Sequence, residues 1–530
     1  MLEEFISDYE RKLYLKYCTL PLATKVIGMM LMTLVVLSSV FSTSTWFTDC
    51  MTLPKWLCSL ASSLLLVVAW SLSRFFRMHA PFLRADGFFV VATLVCALES
   101  LLFLAQQLSI VPKVGMATAG SFDNIAGFAS CLALSLPLGI SKMKSQRPVV
   151  KWLLIVAKML CVVGIVCSGS RMGMLCLGAM VMIYLKVKRA WLLPVLCVAL
   201  LLLVIGFKHN SSIGRWFIYE RSIEMMASKP ATGWGYKGFE NNYMQVQADY
   251  FKQHEQSSYA TLADNVHHPL SEYLLIGVNY GIVALLALLA VIGLLLKRLR
   301  RDAYPDLFAS VVALILFGLF SYPMRYPFSW VVLAVALLTV MKSQNRLPRM
   351  GYLMVSAIAV VLLIPLYSFF KTERCWAGLA EKAQCGLYKT TLPGYQKLME
   401  RKENDPRFLY NYAAVLCEAG ELKQAKSTIT KCYHSFKDYD VCLLTANIHA
   451  EADDIHQAEK YYKEAHLMVP SRIMPLYGLF QLYQRNGMQL KAQQVGKEII
   501  RSKTKVPSSK AKEIKEKVQF DLHHKGISYD

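Results

Sequence analysis

The stretch KHNSSIGRWFIYERSIEMMASKPATGWGYKGF, Lys208 to Phe239, opens a polar run that closes with LADNVHHPLSEYLL, Leu262 to Leu275, where the chain turns apolar again. Long apolar segments stand on both sides of it. Arg215, Arg221, His267 and His268 therefore sit at or near a membrane boundary, and Arg171 lies in an apolar segment upstream. An ionisable side chain at membrane depth is costly and by default points to a site. The run 208–268 is accordingly expected to carry a functional site on the face of the membrane where it emerges.

The rest of the chain supports a membrane setting. Of its 530 residues, 55% are hydrophobic and only 18% charged, and mean hydropathy is +0.36. The apolar residues come in blocks, many close to the roughly 20 residues a helix needs to span a bilayer. Eleven candidate spans can be drawn at 22–42, 54–72, 87–105, 124–141, 151–167, 171–185, 190–207, 269–296, 304–322, 326–341 and 351–370. The last part of the chain reads as ordinary soluble helical protein. The expected fold is all-α, with three parts: a polytopic membrane domain over 1–370 that includes the loop 208–268, linker helices over 371–400, and a repeat domain over 401–530.

Basic residues set the orientation. One set of connections carries Arg11, Lys12, Lys16 and Lys25, then Arg74, Arg77 and Arg84, and then Lys142, Lys144, Arg147 and Lys151. It continues with Lys186, Lys188 and Arg189, with Lys297, Arg298, Arg300 and Arg301, and with Lys342, Arg346 and Arg349. The alternate short connections hold little beyond Lys113, Arg171 and Arg325, with Lys55 at a span edge. Lys and Arg collect on the cytoplasmic side. This places the N-terminus in the cytoplasm and both the 208–268 loop and the C-terminal domain outside, which is the periplasm in a bacterium with two membranes. No small-residue cleavage site follows the first basic residues, so the first apolar run reads as a retained span. The same distribution accounts for much of the net charge of +22, and no nucleic-acid-binding motif accompanies it. The fourteen cysteines are scattered, with no CxxC and no zinc-type spacing. Cys375 and Cys385 could pair if their side is oxidising.

Beyond residue 400 a unit recurs at about 33–34 residues, the length of a tetratricopeptide repeat. GELKQA at Gly420–Ala425 returns as DDIHQA at Asp453–Ala458 and as GMQLKA at Gly487–Ala492. Ala425, Ala458 and Ala492 would be the small residues where the two helices of each repeat cross. Ala413 and Ala446 fill the matching place in the first helices, Phe480 stands there in the third, and Pro470 closes the second repeat. Such repeats bind a protein partner through a concave face but carry no chemistry of their own.

Three clusters could carry chemistry. Ser168-Gly169-Ser170-Arg171 joins two apolar segments, and its guanidinium suits a phosphate; a snorkelling arginine would look the same. Arg215, Tyr219 and Arg221 open the loop, and either arginine could equally be a solvated loop residue. His267-His268-Pro269 leads into the next apolar segment, where a histidine can act as a general base. A structural hydrogen bond is the alternative, and no further ligand lies nearby for a metal.

Taken together and in order, these residues resemble the O-antigen ligase and polymerase superfamily of bacterial envelope proteins. The likeness rests on Ser170-Arg171, on Arg215 and Tyr219 followed by Pro230, Gly233 and Gly235, and on His267 or His268 followed by Glu272-Tyr273-Leu274 and Gly281. It spans about 120–290. Two features depart from the family: His-His-Pro replaces the usual His-Asn pair, and the repeats are an addition. The resemblance implies glycosyl transfer from a glycan on polyprenyl pyrophosphate, with no cofactor and no metal. Arg171 and Arg215, with Arg221, would bind the pyrophosphate, and His268, with His267 as the alternate, would take a proton from the acceptor hydroxyl. The acceptor could be a lipid A core sugar, a second lipid-linked repeat unit or an exported protein, with the ligase-like case favoured. A transporter finds no support in paired broken spans or intramembrane acidic runs. A non-enzymatic scaffold that recruits envelope proteins would leave the arginines and histidines free to vary.

Overall fold

The computed structural model describes residues 24–76, 85–113, 118–185, 209–341, 347–502, 505 and 508–523, and every regular element among them is helical. The expected span 190–207 lies outside the described residues, as do Arg11, Lys12 and Lys16. The first helices are α1 (Thr24–Phe41), α2 (Leu53–Phe75), α3 (Ala85–Gln107), α4 (Ile125–Ser135), α5 (Pro148–Cys167) and α6 (Arg171–Tyr184). The polar run forms α7 (His209–Ser228) and α8 (Gly238–Gln253). Then come α9 (Glu272–Leu299), α10 (Pro305–Phe320), α11 (Pro327–Val340) and α12 (Arg349–Gln384). The C-terminal helices are α13 (Tyr388–Lys402), α14 (Pro406–Glu418), α15 (Leu422–Ser435), α16 (Tyr439–Glu451), α17 (Ile455–Met468), α18 (Met474–Arg485), α19 (Gln489–Arg501) and α20 (Ser509–His523).

Among the described residues, α1, α2, α3, α5, α9 and α12 are long and apolar enough to cross a membrane. The apolar helices α4, α6, α10 and α11 are shorter. The chain divides into two compact units, one of Met1–Leu203 with Leu289–Ala377, the other of Val204–Leu288 with Gly378–Asp530.

In the first unit α4 is the core element, with Phe128, Ala129 and Leu132 fully buried and Phe103 of α3 stacked on Phe128 at 4.5 Å. Sequence hydropathy extends this segment to 141, but the helix ends at Ser135, just before Pro137 and before Gly139, whose φ is +81°. Backbone groups freed in an apolar setting must find partners. Here Lys158 donates to the carbonyls of Leu136 and Leu138 at 2.8 and 2.7 Å, and Asp306 accepts from the Gly139 and Ser141 amides at 3.0 Å each. Lys55 donates to the carbonyls of Ser42 and Ser121, and Glu99 accepts from the Ser121 amide at 2.6 Å. Ionisable groups in this unit thus tie helix ends and turns together.

Two expectations change beyond residue 349. The apolar segment and the first part of the anticipated linker, up to Gln384, form one 36-residue helix, α12, because only Pro365 interrupts a helix-forming sequence; the rest of the linker is mostly α13. Cys375 and Cys385 are free thiols. Cys375 lies on α12 and Cys385 directly past its end, about 15 Å along the axis, too far for a disulfide.

In the second unit α14 to α19 form three successive helix pairs, each packed on the next, with α20 against the last. Ala425 and Ala458 are fully buried and Ala492 nearly so, where a larger side chain would push paired helices apart. Helix α8 packs against α17 of these pairs.

Candidate active site

The site begins where α7 stops. Pro230 follows its last turn, and Gly233 and Gly235 adopt φ of +65° and +86°. The bend they form docks onto a break in α9. There Gly281 has φ 82° and ψ 177°, a conformation all but closed to residues with a Cβ. The break frees two carbonyls and one amide, and the bend takes up all three. Trp234 N donates to Val278 O, Gly235 N to Asn279 O, and Ile282 N to Pro230 O, each at 2.8 Å. A Cβ on Gly233 would lie 2.4 Å from the carbonyl carbon and oxygen of Asn279, so the approach requires glycine. Asn279 also accepts from the Phe239 amide at 2.9 Å, fixing the start of α8.

This packing encloses a cleft of about 270 Å³ lined by Tyr236, Lys237, Glu240, His267, His268, Leu275, Ile276, Asn279 and Tyr280. The two histidines differ within it. His268 is 22% exposed, its Nδ1 accepts from the Leu270 amide at 2.9 Å, and its Nε2 lies 3.9 Å from Glu272. Leu270 holds φ +56°, a strained value for a branched side chain, of the kind that clusters at working sites. His267 is half exposed and stacks on Phe436, and its Nδ1 is 3.7 Å from Asp438 Oδ2.

The arginines are placed separately. Arg215 and Tyr219 are one turn apart on α7; burial raises the Tyr219 pKa, and the charge and hydrogen bond of Arg215 oppose that rise. Arg221 lies over the Tyr250 ring at 4.5 Å, near Phe217 at 5.8 Å, and pairs with Glu224 at 2.5 Å. Neither lines the cleft, whose own cation is Lys237. Arg171 belongs to the first unit, at the first turn of α6, whose N-cap Ser170 accepts from the Gly173 amide.

The C-terminal helices complete the site's framework. Gln247 of α8 donates to the Met468 carbonyl at 2.5 Å, and Lys437 N donates to Asn241 O. Asp264, just ahead of the histidines, bonds to Arg472 and Lys505, each at 2.9 Å. Burial would raise its pKa, but the hydrogen bonds of Lys505 and the Asn265 amide, with the charges of Lys505 and Arg472, hold it below the usual carboxylate value. On α16, burial and the charge of Asp438 push Asp440 up. Sequence reasoning did not reach Lys237, Asn279, Phe436 or Asp438. Asn279 alone left a local signal, as an amide within an otherwise apolar run. Among the described residues no three His, Cys, Asp or Glu side chains gather as a metal-ligating group.

The model of the O-antigen ligase family matches residues 156–289. The matched span contains the Ser170-Arg171 turn, α7, the glycine bend, both histidines and the break in α9, and it supports a membrane enzyme family of the O-antigen ligase and polymerase type. No curated protein matches the chain.

Proposed function

We propose that the protein is a membrane glycosyltransferase that moves a glycan from polyprenyl pyrophosphate to an acceptor hydroxyl at the periplasmic face of the bacterial inner membrane, in the manner of an O-antigen ligase. The observation that carries the proposal is the cleft holding His267 and His268, walled by Tyr236, Lys237 and Glu240 just past the glycine bend and by Leu275, Ile276, Asn279 and Tyr280 of the broken α9, all within the family-matched span. A histidine takes the proton of the acceptor hydroxyl as its oxygen attacks the anomeric carbon. The bond from that carbon to the pyrophosphate oxygen breaks, and the electron pair leaves with the pyrophosphate. Arg215 supplies positive charge for the leaving group, the usual electrostatic contribution to such a step, and Arg171 is carried into the proposal by the resemblance alone. Arg221, named with them by resemblance, is held by Glu224 and Tyr250, and we assign it to fixing the loop.

In the same reading the chain crosses the membrane eleven times, with a cytoplasmic N-terminus and a periplasmic C-terminal domain whose three helix pairs form a tetratricopeptide-like solenoid. The donor binds among the spans and membrane lipids, and the acceptor is a lipid A core sugar.

The test is envelope glycan profiling in a deletion strain carrying wild type, Arg215→Ala or His267→Ala/His268→Ala, at matched membrane levels. Loss of polymer from the lipid A core, with lipid-linked polymer accumulating, supports the ligase. Short single-repeat chains would assign a polymerase instead, and unglycosylated exported proteins a protein transferase. An unchanged profile in every glycan class would remove the enzyme reading in favour of a scaffold or transporter.

A further inference from the structure

The C-terminal helix pairs bring one carboxylate, Asp438, beside a histidine of the cleft. Asp438 is the N-cap of α16, and its Oδ1 accepts from the Asp440 amide at 2.8 Å. Its side chain is 4% exposed, yet the other oxygen, Oδ2, is buried with no hydrogen-bond partner. A buried polar atom left unmatched costs roughly 1–3 kcal/mol, more when charged, so its persistence calls for a reason. A candidate donor, His267 Nδ1, lies 3.7 Å away. That imidazole is set in orientation by stacking on Phe436, two residues before Asp438. A movement of about half an ångström closes the gap to an ordinary hydrogen bond.

We propose that Asp438 is a positioning residue for His267, and that His267 is the base of the transfer reaction. This deepens the glycosyltransferase reading and rests on it. An aspartate accepting from Nδ1–H fixes the imidazole as the tautomer whose Nε2 lone pair is open, and stabilises the imidazolium once Nε2 has taken the acceptor's proton. His268 is arranged the other way. Its Nδ1 accepts from the Leu270 amide, so the neutral ring carries its proton on Nε2, and the lone pair a base needs is engaged. His267 lines the cleft and is half exposed, so an incoming hydroxyl can reach its ring. The repeats thereby supply a member of the active site from well outside the family-matched span.

The experiment uses full-length protein in proteoliposomes, with lipid-linked glycan and acceptor extracted from the deletion strain. Asp438→Ser and Asp438→Asn both keep a good N-cap, but serine is too short to reach His267, and the asparagine amide would present a donor to Nδ1 and favour the wrong tautomer. Both variants are expected to lower kcat by about a hundredfold, the scale of general-base catalysis. KM and melting temperature should stay near wild type. His267→Gln should be at least as impaired, and adding Asp438→Asn to it should cost nothing more, because the two act as one unit. A mere capping role predicts wild-type kcat for both Asp438 variants. That result, or losses that multiply in the double variant, overturns the positioning role while leaving the transferase reading intact. Full activity of His267→Gln with an inactive His268→Gln overturns the assignment of the base. Absence of transfer by wild type overturns both.

Discussion

Replacing Gly281 by alanine puts a methyl group 2.4 Å from the Ala231 carbonyl oxygen and 2.7 Å from that of Pro230. Both are backbone atoms of a tight bend and cannot swing aside as a side-chain tip would. The residue also holds φ 82° and ψ 177°, a region that costs a non-glycine residue about 1–3 kcal/mol. Relief requires the 230–235 bend to lift from α9, which breaks hydrogen bonds to Val278 O, Asn279 O and from Ile282 N, each worth roughly 1 kcal/mol net. The expected loss is on the order of 4–6 kcal/mol, a large part of the 5–15 kcal/mol that holds a typical domain. The assay is thermal unfolding in detergent, paired with limited proteolysis between 208 and 268. The control is Gly293→Ala on the same helix, where an added Cβ meets nothing within 4 Å and helix propensity favours alanine by about 1 kcal/mol. Equal melting temperatures and equal protease resistance for the two variants would refute the docking of the bend onto the broken helix.

Two further outcomes are expected. Arg221→Lys, which keeps the charge but loses the planar stack on Tyr250, should destabilise the protein by about 1 kcal/mol and speed proteolysis of the loop, with KM for donor unchanged; a raised KM at unchanged stability would return Arg221 to the pyrophosphate site. The C-terminal helices should lose stability in acid, followed by circular dichroism on melting between pH 5 and 2. The hydrogen bond of Lys426, with that of His449, holds Asp454 at about 2, and those of Lys463, Lys491 and Tyr483 hold Glu459 at about 2 against the opposing effect of burial. Both values lie below those of free carboxyls, so the stabilisation is present above about pH 4 and is lost as pH falls toward 2. Asp454→Asn should flatten that slope.

How much of this was legible depends on how far apart in sequence the interacting residues lie. The end of α7 could be placed from Pro230 and the following glycines, since turn chemistry is local. The helix pairs were legible at Ala425, Ala458 and Ala492, because close helix crossing demands a small residue at a fixed interval. The break in α9 was not, since Gly281 sits in an apolar run whose hydropathy continues unchanged. Its cause is the bend some fifty residues upstream. The merger of apolar segment and early linker into α12 was missed because no terminator lies between them; Pro365 is a weak one where neighbouring groups can absorb the lost hydrogen bond. Choosing between His267 and His268 was beyond any local pattern. Proximity to the apolar segment favoured His268, whereas what separates the two rings is the Leu270 amide on one and Phe436 with Asp438 on the other.

The placement of the C-terminal helices against α8 makes a prediction that separates two views of them. If they serve only to recruit a partner, a chain ended after Lys402 keeps every family-matched residue and should transfer glycan normally in a purified system. The packing argues otherwise. Tyr243, Met244 and Ala248 of α8 share one buried cluster with Tyr439, Cys442, Ala465, Met468 and Val469, and Gln247 spends its amide on the Met468 carbonyl. Removing the pairs would bare that face of α8, at about 1.5–3 kcal/mol for each large apolar side chain fully exposed. It would also strip Asp264 of Arg472 and Lys505 just ahead of the two histidines. The expected result is a truncated protein that still reaches the membrane, is cut readily between 238 and 268, and transfers no glycan. Adding the separate 403–530 segment should restore some activity by refilling the same face. Normal transfer by the truncated chain alone would show that α8 and the histidine cleft hold their shape unaided, and would leave the C-terminal helices with recruitment as their role.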